Sequence, residues 1–189
     1  MTDWRRTAGR LSRNSVEMNQ SMISDPDIKN GIAAFAATIS IQPLGLASHR
    51  PEPWGQEARC FENVGRKVRQ DGGRGQSGWM FQYKYLTDDS RLGYLVAIHH
   101  AVWHAPSGQL IDVTPFHSNP QNHPLCPGDG VLFLVDDASP PVSTDKVMAP
   151  LPSRFFPLSA EERLVSHVRR LEEEERQACQ RIYDQGTPA

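Results

Sequence analysis

The chain has 189 residues, 38% hydrophobic and 22% charged. That suits one domain with a substantial core, and no apolar run approaches the length of a membrane-spanning helix. A formal net charge of -2 gives no overall pull toward nucleic acid or acidic membranes, and 15 prolines with 14 glycines argue against a long helical bundle.

Residues 1–27 are polar and end in the breaker Asp25-Pro26-Asp27, which predicts a tail. This N-terminus also lacks the apolar segment of a secretory signal. Asp27 is placed to cap a short helix through Ile28–Ala36. Pro43, Pro51 and Pro53, with Gly45 and Gly55, predict irregular structure up to Cys60. From Cys60 the apolar residues Phe61, Val64 and Val68 recur at helical spacing, and Asp71-Gly72-Gly73 ends the helix.

Strand patterns follow. Trp79–Tyr85 alternates aromatic and polar residues, and Tyr94–Trp103 is apolar apart from His99 and His100, as a strand covered on both faces would be. Pro106-Ser107-Gly108 turns the chain into Leu110–Thr114, and Val131–Val135 is a further strand. Short turns join antiparallel neighbours, so the expected class is α+β with helices on an antiparallel sheet. A Pro-, Asn- and His-rich loop fills 116–130, and a prolyl linker fills 136–157. Ser159-Ala160-Glu161-Glu162 reads as a capping box opening a helix with an apolar stripe through Leu164, Val168 and Leu171. The expected organisation is a tail over 1–27, a catalytic domain over 28–158 and an amphipathic helix over 159–189.

Three cysteines, Cys60, Cys126 and Cys179, form neither a disulfide framework nor a paired-cysteine zinc pattern, so a reduced cytoplasmic setting is expected. Cys60 stands apart because it opens a helix. Amides of a first helical turn carry partial positive charge, which favours a thiolate and can face a developing oxyanion. The plainer alternative is a buried structural cysteine. If residues 106–108 turn a hairpin, His100 and Asp112 lie across from one another or one diagonal step apart. A carboxylate there fixes the tautomer of the ring and supports the imidazolium. His99, the neighbour in the strand, is expected on the opposite face in a structural hydrogen bond.

The segments His100-Ala101-Val102-Trp103 and Asp112-Val113-Thr114, with a Gly-containing turn between them, are similar to the His and Asp segments of transglutaminase-like proteins. Those belong to the wider papain-like group of Cys-His-Asp enzymes. The stretch from Cys60-Phe61-Glu62-Asn63-Val64 through Gly78-Trp79 to Pro115 also resembles a group of poorly characterised bacterial proteins. The resemblance implies a papain-like or transglutaminase-like core, with Cys60 as nucleophile, His100 as base and Asp112 as orienter. It implies a thiol hydrolase or acyltransferase that needs no cofactor and acts on a peptide or protein amide, with neither nucleic acid nor membrane as partner. Gln56, Asn63 and Trp103 are weaker candidates for oxyanion or substrate positioning. Two other classes compete. His99, His100, His104, His117 and His123, with Cys126 and Asp129, could supply a zinc site, as in a metallohydrolase. Alternatively, the stripe after Ser159 docks a partner and the protein is a non-catalytic interaction module.

Overall fold

A computed structural model describes residues 25–139 and 151–186. The predicted tail therefore lies outside the described residues up to position 24, while Pro26 and Asp27 belong to the first helix. The elements in order are α1 (Pro26–Ile39), β1 (Leu44–His49), α2 (Cys60–Asp71), β2 (Arg74–Leu86), β3 (Asp89–His104) and β4 (Leu110–Asp112). A single 3-10 turn (Pro120–Asn122), β5 (Gly130–Val135), β6 (Arg154–Pro157) and α3 (Glu162–Gly186) complete the chain.

The class is α+β. The sheet is mixed, which corrects the antiparallel expectation: β1 pairs parallel with β4, Ser48 facing Ile111 and His49 facing Asp112. Short-turn reasoning missed this pair because β1 lies in the stretch assigned to irregular structure. Pro43 stands just before β1 and Pro51 just after it, so neither removes a ladder donor within the strand. Likewise β6 lies inside the expected linker, pairing Tyr94–Ala97 of β3 with Arg154–Pro157. Its Pro157 sits at the strand end of an outermost strand, where a missing N–H is tolerated.

The strand order is β2-β5-β1-β4-β3-β6, and β2 also pairs with β3. The first five strands therefore close on themselves, with β6 added outside. Closure hangs on the long β2–β3 hairpin, in register from Arg74 opposite His104 to Tyr85 opposite Gly93. Ala47, Val102, Val131 and Phe133 fill one core cluster between these strands. Gly78 allows β5 to approach β2, because a Cβ there would collide with the Leu134 carbonyl oxygen and the Phe133 ring.

Each helix buries one stripe. Ile32, Phe35 and Ala36 of α1 pack on Trp79, Phe81 and Leu95. Asp25, not Asp27, caps α1, its carboxylate accepting the Asp27 N–H at 2.8 Å. Helix α2 presses Cys60 and Val64 against Ala101, Trp103, Ile111 and Val113, and Gly72, with φ of 74°, ends it. Leu164 and Val168 of α3 cover Leu92, Tyr94 and Val96. The expected capping box reduces to a Ser159 hydroxyl accepting the Glu161 N–H at 3.5 Å, one residue before α3 begins.

One feature of the strand pairing positions the site. Along the edge of β3 opposite β2, β6 takes Tyr94–Ala97 and β4 takes Trp103 and His104. Among the described residues, 98–102 have no strand partner on that edge, and His99 and His100 lie in this gap.

Candidate active site

Cys60 is the first residue of α2 and is buried against the strands. Arg59 precedes it without offering a side-chain cap to the helix. The first-turn amides thus meet no capping oxygen from that residue, an arrangement that suits an incoming negative charge. Ala58, two residues before the thiol, has φ of 56° and is the one non-glycine with positive φ among the described residues. Such a backbone costs of order 1 kcal/mol or more and is retained where the surroundings fix it. Here it turns the chain sharply into the helix start.

His100 and Asp112 come together as the hairpin implies. Trp103 faces Ile111 and His104 faces Leu110; continuing that register sets Asp112 across from Val102 and one diagonal step from His100. His100 Nε2 lies 3.3 Å from Asp112 Oδ1. The contact is in ion-pair range but off the line of a hydrogen bond, so Nε2 has no aligned partner among the described residues. Asp112 Oδ1 also accepts the Thr114 N–H at 3.0 Å, which anchors the carboxylate to its own turn.

The electrostatics follow from burial and partners. Burial alone lowers the pKa of His100, but the charges of Cys60 and Asp112 and their contacts with the ring outweigh it, raising the value well above 6.5. For Asp112 burial pulls upward, and the His100 charge and contact, the Thr114 N–H and His49 overcome it, leaving the carboxyl below its ordinary value. Against burial, attraction between the charges leads in both shifts, the Nε2–Oδ1 contact being misaligned. Each partner therefore stabilises the other's charged form.

Cys60, His100 and Asp112 all line one cavity of about 460 Å³. Its walls include Phe61, Met80, Ile98 and Phe116, and among the described residues no lysine or arginine lines it. Met80 and Gln82 were not expected there. They sit across from Ile98 and Val96 and share their even parity with His100, a signal present in the β2–β3 register. The Gln82 amide donates to the Asn122 carbonyl, tying the cavity floor to the 3-10 turn.

The weaker candidates lie elsewhere. Asn63 gives its amide to the Gln56 carbonyl at 2.8 Å and the Thr114 hydroxyl at 3.2 Å, and accepts the Gln56 N–H at 3.1 Å. It staples the loop before Cys60 to the strand end after Asp112. Gln56 and Asn63 border a separate cleft beside Trp54 and Arg66. Trp103 donates its indole N–H to the Gly72 carbonyl at 2.8 Å, anchoring the far end of α2. None of the three lines the cavity that holds Cys60.

His99 takes the expected structural bond, its Nδ1 accepting the Leu151 N–H at 3.4 Å. Yet it lines the same cavity as His100, against the expectation that it faces away from it.

The zinc candidates disperse. Among the described residues no three His, Cys, Asp or Glu side chains form a group that could hold a metal ion. His104 Nδ1 accepts from Arg74, His117 Nδ1 accepts the Asn119 N–H, and His123 Nε2 contacts the His117 carbonyl oxygen. Burial, with the Asp112 charge behind it, pushes the Cys126 thiol up to about 12. The apolar stripe of α3 is buried at Leu164 and Val168 by its own sheet. None of the helices among the described residues is long and apolar enough to cross a membrane. No family model, curated protein or solved structure matches this chain.

Proposed function

We propose that this protein is a cysteine-dependent hydrolase or acyltransferase acting at an amide of a peptide or protein, with a papain-like or transglutaminase-like arrangement of its site. The observation that carries the reading is the convergence of Cys60, His100 and Asp112 on one cavity, although they come from three separate elements. With Nε2 turned to Asp112, Nδ1 is left for the thiol.

In this mechanism His100 takes the Cys60 proton, and the thiolate attacks the substrate carbonyl carbon, forming a C–S bond. The oxyanion that results faces the first-turn amides of α2. As the C–N bond breaks, the imidazolium returns its proton to the leaving amine. Water or a second amine then attacks the acyl-enzyme, His100 accepts its proton, the C–S bond breaks and the thiol is restored. Asp112 holds the ring and offsets its positive charge throughout.

The test is release of 4-nitrophenolate from an activated ester such as 4-nitrophenyl hydrocinnamate. Turnover by the native protein and its loss in Cys60→Ser and His100→Ala, with circular dichroism unchanged, is the expected result. Turnover that survives Cys60→Ser overturns the reading.

A further inference from the structure

Thr114 joins the helix that carries the thiol to the carboxylate beside the ring. It is buried and lies two residues past Asp112, beyond the end of β4. Its N–H donates to Asp112 Oδ1 at 3.0 Å, its carbonyl oxygen lies 3.0 Å from His49 Nε2, and its hydroxyl oxygen accepts from Asn63 Nδ2 at 3.2 Å. Both backbone groups are thus spent on side chains, and the hydroxyl is the group that meets α2.

Asn63 stands at the other end of that bond. It is buried and follows Cys60 by three residues, close to one helical turn, so the two side chains share a side of α2. One amide hydrogen goes to the Gln56 carbonyl at 2.8 Å and the other to Thr114, while Oδ1 accepts the Gln56 N–H at 3.1 Å. With both hydrogens committed, this amide has none to offer an oxyanion.

The contacts make a circuit. The backbone of α2 leads from Cys60 to Asn63, the Asn63 amide to the Thr114 hydroxyl, the Thr114 N–H to Asp112 Oδ1, and Oδ1 to His100 Nε2 at 3.3 Å. Cys60 and His100 close it by lining one cavity. The contact between Oδ1 and Nε2 is off the line of a hydrogen bond, so it directs the carboxylate weakly. The Arg50 and Glu52 N–H groups hold the carbonyls of Asp112 and Val113, but these bonds touch neither the carboxylate nor α2.

We propose that Asn63 and Thr114 are positioning residues, the bond between them holding α2 against the Asp112 turn and so setting the distance from the Cys60 sulfur to the His100 ring. The proposal rests on the thiol mechanism above and adds to it the clamp that keeps its three groups assembled.

The experiment measures turnover of the neutral ester 4-nitrophenyl hydrocinnamate, and alkylation of Cys60 by iodoacetamide, in the native protein, Thr114→Val and Thr114→Ser. Valine keeps the branched shape and the backbone N–H but offers Asn63 no acceptor; serine keeps the acceptor. In Thr114→Val, kcat falls about tenfold, because small displacements of reacting groups cost rate steeply, while KM changes less than about twofold. Alkylation of Cys60 slows severalfold in the same variant. Thr114→Ser recovers most of both losses. A hydroxyl that served stability alone would lower the unfolding midpoint and leave kcat and alkylation of the folded protein as they were. Native kcat in a folded Thr114→Val protein overturns the proposal, as does a rise in KM at constant kcat, or a loss that serine does not repair. Should Thr114→Val not fold, Thr114→Ala removes the same acceptor with less side chain to accommodate and carries the same expected split. Turnover lost in Cys60→Ser but intact in Thr114→Val removes the clamp and leaves the thiol mechanism standing, whereas turnover that persists in Cys60→Ser removes both.

Discussion

Asp112 is the side chain whose surroundings are most demanding, being 1% exposed and yet ionised. Burying a carboxylate costs several kcal/mol unless partners compensate, and here His100 and the Thr114 N–H do so. Asp112→Asn keeps an acceptor for the Thr114 N–H while removing the charge. Without that charge, His100 keeps only Cys60 to set against burial, and its hold on a proton weakens. Stopped-flow measurement on the neutral ester should show kcat falling by about a hundredfold or more in this variant, with the folded signal retained. Undiminished kcat would leave Asp112 a purely structural residue.

Helices were easier to read from sequence than the sheet. The 3.6-residue spacing of Phe61, Val64 and Val68 and the stop at Gly72 placed α2 well, because a helix stripe and its glycine end are both local signals. The β3–β4 hairpin was equally plain, since its turn residues and the apolar runs on either side lie within one short segment. From that hairpin came the proximity of His100 and Asp112. Strands β1 and β6 left no such trace: each is short, each is bordered by proline, and each is defined by partners 40 or more residues away in sequence. The cavity walls on β2 were hidden for the same reason, depending on pairing with β3. Asn63 had looked like an oxyanion donor only because sequence distance does not reveal that Thr114 sits beside it. At the β2–β5 contact the fold leaves no room for a side chain on residue 78. Gly78→Ala should lower stability by about 1–3 kcal/mol in denaturant unfolding, because backbone rather than a flexible side chain must move. A stability equal to that of the native protein would mean β5 does not pack against β2 as described.

The closed arrangement of β1–β5 lets one cavity draw on a helix start, a hairpin and the 3-10 turn at once. It also makes the whole protein sensitive to acid. His99 is neutral when folded, with its pKa lowered to about 4, and so refuses a proton that the unfolded chain accepts near 6.5. The stability this provides is complete above pH 6.5 and is lost as pH falls toward 4. Asp112, also lowered, loses its contribution only further down, below the ordinary carboxylate range. His100 has the opposite sign: its contribution is full below pH 6.5 and disappears as pH rises through its raised value. Thermal midpoints should therefore decline from pH 6.5 to 4, and the decline should be shallower in His99→Phe. Identical slopes would remove His99 as a source of the acid sensitivity.

The proposed function depends on a sulfur activated by a neighbouring ring, and the rate of thiol alkylation reads that directly. Burial holds the Cys126 thiol up near 12 and raises that of Cys179, so both are slow references within the same molecule. With substoichiometric iodoacetamide at pH 7 and peptide mapping, Cys60 should be alkylated first, and His100→Ala should slow it severalfold without changing the other two. Alkylation of Cys60 no faster than that of Cys126 and Cys179, or at a rate indifferent to His100, would contradict the account.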